Sequence, residues 1–367
     1  MWILIFIIAL YSALILAISF GDKPSKLKVA RRETEGVSVI LPFKNEKSNL
    51  KRLLREIADP ARINRPIEFI FVDDHSTDGS TDLLEQSEYF KLIRLPQETS
   101  GKKMAIRTGV NSAAYEVILT LDADVILSRG FFEKTQIAPS NGRMLLIHSL
   151  APIKREGFPS AFFDLEFISL QIAGRRTAQW GFPVLSNGAC LSFRKDAFYA
   201  AEGVRNDYSL PTGDDVFLTE AIASIYGSSV IETTEAIPSL QVHFPEKGKQ
   251  LLQQRARWIS KTTDLGSLSF QIVAFLVALA HITFFPLALF SFLDGGILEG
   301  TLIILMKSGS EWIMFSKYLK HFGRRDLTTQ ILPAQIIYPF YLCLLLPLGW
   351  IKRRSYKTQH LHVGGTI

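Results

Sequence analysis

Three stretches of this chain carry no charged side chain: residues 1–20, 266–293 and 327–351. Each is long enough to cross a bilayer, since about 20 helical residues span roughly 30 Å of hydrocarbon. The pattern therefore predicts transmembrane helices at residues 1–20 and within a C-terminal membrane region, residues 265–351, of two to three hydrophobic segments. Between them, over residues 36–262, short apolar runs alternate with amphipathic ones. Residues 36–43 (GVSVILPF), 67–74, 90–95 and 117–121 read as strands covered on both faces. Residues 48–58 predict a helix with Leu50, Leu53, Leu54 and Ile57 on one face, and residues 102–113 predict another. Residues 143–153 predict a fifth strand, and residues 160–174 a helix dense in Phe and Leu that either lies against the bilayer or belongs to the core. A further helix begins at Asp214 and buries Val216, Phe217, Leu218, Ala221, Ile222 and Ile225. Alternating strands and helices argue an α/β domain with a parallel sheet layered by helices.

Charge refines the ends. The net charge of +6 is largely juxtamembrane, at Lys23, Lys26, Lys28, Arg31 and Arg32, at Lys317, Lys320, Arg324 and Arg325, and at Lys352, Arg353, Arg354 and Lys357. No Lys or Arg precedes the first apolar run and no small-residue cleavage site follows it, so an uncleaved anchor is expected. The positive-inside rule then places residue 21 onward in the cytoplasm, as expected of an integral protein of the cell (inner) membrane, with the basic clusters facing anionic lipid headgroups. These charges flank apolar spans without interleaved stacking aromatics, which argues against nucleic acid as a partner. Two cysteines, Cys190 and Cys343, imply no disulfide framework. Residues 297–316 hold Glu299, Lys307 and Glu311, which must face a bundle interior if this segment spans; Lys307 and Glu311 are spaced to pair. Pro333, Pro339 and Pro347 suggest a re-entrant or kinked final segment that keeps the basic tail cytoplasmic.

Candidate chemistry gathers where strands end. Asp122 and Asp124 flank Ala123 at the tip of the run VILTLDADVILS, and alternate residues of an extended segment point to one side. Both carboxylates can thus reach one hard cation, Mg²⁺ or Mn²⁺, which keeps positions open for phosphate oxygens; a pair of solvated loop acids is the alternative. Asp73, Asp74 and Asp78 crowd the turn VDDHSTDGS, and Asn187-Gly188 suits a turn where backbone approaches a ligand. Asp214 and Asp215 start a helix, where capping explains one acid but hardly two. In KGKQLLQQRARWISK, Gln254, Arg257 and Trp258 put an amide, a cation and a large aromatic within two helical turns; Trp258 suits a sugar platform or the membrane interface. A phosphoacceptor receiver domain would use the acidic pair of FIFVDDH, but its lysine would come too soon and residues 36–43 would have no role.

In order along residues 37–261, VSVILPFKNE, VDDHSTDGS, GKKMAIRTG, LTLDADV, NGACLSFRKDAF, TGDDVFL and QRARW resemble the membrane-bound family 2 glycosyltransferases, the group of cellulose, chitin and hyaluronan synthases and ceramide glucosyltransferases. The resemblance implies a GT-A-type domain over residues 36–262 that binds a nucleotide-sugar donor, a UDP-sugar being the commonest, with a lipid or glycan as acceptor. It assigns Pro42, Glu46 and Asp73 or Asp74 to the nucleobase and ribose, Lys102 to the diphosphate, and Asp122 and Asp124 to metal and sugar. It makes Asp215 the base that deprotonates the acceptor in an inverting displacement, with Gln254, Arg257 and Trp258 near acceptor and diphosphate. Processive polysaccharide synthesis and a non-catalytic nucleotide-sugar-binding scaffold are the alternatives. Arg107, where many relatives have asparagine, and the loop around Cys190 depart from the pattern, and the single N-terminal span is closest to the ceramide glucosyltransferase layout.

Overall fold

A computed structural model describes residues 1–21, 36–57, 66–85, 89–204, 214–234, 238, 240–244, 248–262 and 268–363. The basic flank at residues 23–32 lies outside them. The first half runs α1 (Trp2–Phe20), β1 (Val37–Phe43), α2 (Lys47–Glu56), β2 (Ile67–Asp73), α3 (Asp82–Glu85), β3 (Phe90–Arg94), α4 (Lys102–Ser112), β4 (Val117–Leu121), β5 (Ile126–Leu127) and α5 (Phe131–Lys134). Then follow β6 (Leu145–Ile147), β7 (Leu150–Pro152), α6 (Phe158–Gln179), β8 (Cys190–Arg194), α7 (Lys195–Val204), α8 (Asp214–Tyr226), β9 (Ile231–Thr233) and β10 (Leu240–Val242). Four long helices close the sequence: α9 (Gly248–Thr262), α10 (Leu268–Leu293), α11 (Ile297–His321) and α12 (Ile331–Val363). Contacts divide the chain into two units, one holding all ten strands and the other holding α1, α6 as far as Arg176, and α9 to α12.

In the strand-bearing unit a seven-stranded sheet has the order β3-β2-β1-β4-β8-β6-β9. The four strands β3, β2, β1 and β4 are parallel neighbours, and β8 runs antiparallel between β4 and β6. Every residue of β1 and β4 is buried, as an apolar run without alternation requires. Helix α4 packs on β1 so closely that a Cβ on Gly109 would come within 2.4 Å of Ile40 Cγ2. Ile40, Ile70, Val72, Ile118, Phe193 and Ile222 belong to one continuous core.

The fifth strand expected over residues 143–153 is two strands in two sheets. β6 pairs with β8 and β9, whereas β7 joins a three-stranded sheet of order β5-β10-β7. The break falls at His148 and Ser149, where polar groups divert the ladder: His148 Nε2 lies 2.8 Å from Ser192 Oγ, and the Ser149 amide donates to Thr234 Oγ1 at 2.9 Å.

In the helical unit, α1, α10 from Phe270 and the 325–352 stretch are long and apolar enough to cross a membrane. Lys307 and Glu311 of α11 pair at 2.9 Å and are both buried, as their spacing predicted. Tyr11 of α1 donates to Glu311 at 2.6 Å and His281 of α10 lies 3.2 Å from it, so Lys307 and Glu311 face the bundle, whereas Glu299, in the first turn of α11, is only half-buried. The re-entrant break expected in the final segment does not form. Residues 331–363 are one unbroken helix through Pro339 and Pro347; each proline forfeits one backbone bond, which an apolar helix packed on neighbours tolerates.

His148 is entirely buried, and burial pushes its imidazole down to about 3. An unfolded histidine takes up a proton near pH 6.5, so between about pH 6.5 and 3 the unfolded chain binds a proton that the folded one refuses. Stability should therefore fall on acidification across that window, by at most about 1.4 kcal/mol per pH unit from this residue. Thermal unfolding at pH 7.5, 6 and 5 should show a shallower decline in His148→Gln than in the wild type.

Candidate active site

β1, β2 and β4 deliver their chain ends to one edge of the sheet. Phe43 pairs in register with Asp73, and Pro42, buried in β1, with Val72. Beyond that edge the loops after β1 and β2 are sewn together. Asn45 and His75 both take left-handed backbone conformations, with φ of 57° and 60°. The Asn45 amide donates to Ser76 Oγ, the Thr77 amide to Asn45 Oδ1, and the Glu46 amide to Ser80 Oγ. The Lys47 amide donates to Asp78 Oδ2 at 3.0 Å, so Asp78 caps α2 from another loop. Hydrogen bonds from the Ser80 hydroxyl, and then from backbone amides, hold the Asp78 carboxyl below its usual range. Asp73 accepts the Ser76 amide at 3.0 Å. Asp74 Oδ2 accepts the Gly101 amide at the head of α4, while its buried Oδ1 has no hydrogen-bond partner among the described residues, leaving an acceptor ready for an N–H or hydroxyl.

β4 carries Asp122 to the same edge, where Lys102 of α4 reaches its Oδ1 at 2.6 Å. Lys102 Nζ also donates to the Gly188 carbonyl at 3.1 Å, and the Gly188 amide donates to Asp215 Oδ2 at 2.8 Å. A single residue, Gly188, thus stands between the lysine and the acid that starts α8, bound through its carbonyl on one side and its amide on the other. Asp215 Oδ1 accepts the Val216 amide, and Asn187 Oδ1 accepts the Ala189 amide. Lys103, the neighbour of Lys102, lies over the Phe217 ring instead. Arg52 of α2 donates to the carbonyls of Asp124 and Val125, fixing the backbone of the acidic pair. Burial, and then the charge of Glu46, push the Asp124 carboxyl up. Such an under-neutralised carboxylate beside Asp122 suits a divalent cation. No group of three metal-ligating side chains gathers among the described residues, so water and phosphate oxygens would complete such a site. Cys190, buried opposite Leu121, has its thiol pushed well up by burial and by Asp122, which makes it a poor nucleophile.

The other signature lies in the helical unit, on α9. Arg255, which the sequence reading passed over, is almost fully buried and donates from Nε to Glu166 at 2.7 Å and from Nη1 to Gln254 at 2.7 Å. Its guanidinium lies 4.3 Å from the Trp258 ring centre and 5.0 Å from that of Phe244. Tyr341 of α12 donates to the second oxygen of Glu166. Gln254 and Trp258 therefore grip Arg255, while Arg257 is exposed. A signal was present in the sequence: Asp164 and Glu166 sit among Phe162, Phe163, Leu165 and Phe167, and buried carboxylates require cations. Asp164 takes Arg155 and Arg324, each at 2.8 Å.

The sheet order and the acid-lined strand edge define a GT-A-type α/β glycosyltransferase domain. Residues 38–197 match the model of the family described as "Glycosyl transferase family 2". Relatives include the undecaprenyl-phosphate 4-deoxy-4-formamido-L-arabinose transferases of Serratia proteamaculans, 37% identical over 94 residues (24% of this chain, 29% of the relative), and of Pectobacterium carotovorum subsp. carotovorum, 36% identical over 98 residues (25% and 30%). The chain thus spans about 30% of the length of these curated relatives. A mannosyltransferase of Pyrobaculum calidifontis, solved with GDP-Man and Mn²⁺, shares the fold at a TM-score of 0.52 and 17% identity, covering 90% of this chain and 99% of its own.

Because Trp258 stacks on Arg255, Trp258→Ala should lower thermal stability in detergent, whereas Trp258→Phe, which keeps a ring over the guanidinium, should lie near the wild type. Equal melting temperatures for Trp258→Ala and wild type would remove the stack from the stabilising contacts.

Proposed function

We propose that this protein is a membrane-anchored, inverting, metal-dependent glycosyltransferase that moves a sugar from a nucleotide-sugar, with a UDP-sugar expected, to an acceptor lipid. The carrying observation is the run of contacts Asp122–Lys102–Gly188–Asp215 at the ends of the buried strands. In this reading Pro42, Glu46, Asp73 and Asp74 receive the nucleoside, whose N–H and hydroxyl groups suit carboxylate acceptors. Lys102 exchanges part of its contact with Asp122 for the diphosphate, placing positive charge where the leaving group becomes negative. Asp122 and Asp124 would hold Mg²⁺ or Mn²⁺, which when bound adds charge neutralisation on the leaving diphosphate. Asp215 accepts the Gly188 and Val216 amides, which fix its carboxylate at the head of α8. It takes the acceptor hydroxyl's proton as the oxygen attacks the anomeric carbon and the nucleoside diphosphate departs. Arg257, exposed on α9, is the signature cation left for the diphosphate or acceptor. The strand-bearing unit faces the cytoplasm of the cell membrane, where nucleotide-sugars are made.

The relatives named as undecaprenyl-phosphate transferases favour a second reading, in which the nucleophile is a lipid phosphate and needs no base. Asp215→Asn separates the two. With a hydroxyl acceptor, transfer should fall about 10²–10⁴-fold with nucleotide affinity nearly unchanged; with a phosphate acceptor it should fall less than about tenfold. Transfer and nucleoside diphosphate release, measured over a panel of nucleotide-sugars with Mn²⁺ or Mg²⁺, report both, and absence of either reaction with every donor would favour the scaffold alternative. Asp124→Ala should abolish the part of nucleotide binding that a chelator removes from the wild type. Binding unaltered by mutation and chelator alike would reduce the acidic pair to loop acids.

A further inference from the structure

Arg52 and Glu56 stand one turn apart on α2, the spacing at which opposite charges on a helix meet. Among the described residues they form no ion pair with each other, and both are spent on one stretch of backbone. Arg52 Nη2 donates to the carbonyls of Asp124 and Val125 at 3.0 and 3.2 Å, and Glu56 Oε2 accepts the Leu127 amide at 3.1 Å. Arg52 Nη1 also donates to His243 Nε2 at 3.2 Å, just past the end of β10, the strand that pairs with β5. That stretch has little ladder of its own. β4 ends at Leu121, β5 is a two-residue edge strand, and between them the Val125 amide closes a turn onto the Asp122 carbonyl at 3.2 Å. The two side chains of α2 do for this turn what a neighbouring strand would do, giving its carbonyls a donor and its edge amide an acceptor.

Charge and geometry make opposite demands on Arg52. As a charge beside an acidic pair it repels an approaching divalent cation. As a fork fixed on two carbonyls it sets where Asp124 stands relative to Asp122, and partners that orient ligands in this way govern cation affinity. We propose that Arg52 is a positioning residue for the divalent cation: by fixing the Asp124 and Val125 carbonyls it holds the acidic pair in cation-binding order, and this outweighs the repulsion of its charge. The inference rests on the reading of Asp122 and Asp124 as cation ligands and adds to it a residue that acts through the backbone.

The full chain and two variants, Arg52→Lys and Arg52→Gln, purified in neutral detergent, would be titrated with Mn²⁺ alone by electron paramagnetic resonance, and with UDP in the presence of Mn²⁺ or of chelator. Arg52→Lys keeps the charge but not the fork, and should bind Mn²⁺ about tenfold more weakly than the wild type. Arg52→Gln removes the like charge as well, and should still bind Mn²⁺ more weakly, by at least about threefold. UDP binding in chelator should stay within about twofold in both variants, because the nucleoside loops are tied to α2 through the backbone amides of Glu46 and Lys47. Mn²⁺ binding unchanged in Arg52→Lys, or tightened in Arg52→Gln, leaves Arg52 only its charge and overturns the assignment. Loss of chelator-resistant UDP binding along with Mn²⁺ binding in both variants overturns it too, by making Arg52 a general structural residue. Failure of the cation reading looks different: the wild type itself then binds no Mn²⁺, and the positioning role falls with it.

Discussion

A parallel sheet covered on both faces leaves its strands no place for charge except their ends. β1 and β4 obey this without exception, since all their residues are buried. The consequence is spatial: Asp73, Asp74, Asp122 and Asp124, far apart in sequence, are driven to one edge, and the head of α4 is brought there by its packing on β1 through Gly109. The polar contacts that follow are local solutions to the crowding. Lys102 offsets Asp122, Asp78 caps α2, and Gly101 presents its amide to Asp74.

The helical unit meets the same constraint between its packed helices. Asp164 and Glu166 on α6, and Lys307 and Glu311 on α11, are all buried, and each has an opposite charge at hydrogen-bond distance. Such pairs are costly to break one partner at a time, because a lone buried charge remains. They therefore specify which helices neighbour one another: α6 with α9 through Glu166 and Arg255, and α1 with α11 through Tyr11 and Glu311.

Periodicity was sufficient for the strands that are uniformly apolar and for the acids at their tips, because burial on both faces writes itself directly into composition. It failed at residues 143–153, where one apolar run serves two sheets; the division depends on Ser192 and Thr234, distant residues whose hydroxyls meet His148 and the Ser149 backbone. It failed again in α12, where prolines were weighed as breakers although helix neighbours decide their effect. At the site, residue types were legible but partners were not. Nothing local to QRARW says that Trp258 and Gln254 grip Arg255, because the deciding residue, Glu166, lies on another helix.

Gly188 has a mechanical meaning as well as an electrostatic one. Its carbonyl and its amide belong to two successive rigid peptide planes that meet at the Gly188 Cα. Lys102 holds the carbonyl plane and Asp215 the amide plane. Only two backbone dihedrals separate them, at a residue with no side chain to resist their rotation. The lysine and the acid are thereby fastened to the two leaves of one hinge, so that a change in how the lysine is engaged reaches the acid through a single joint of the chain.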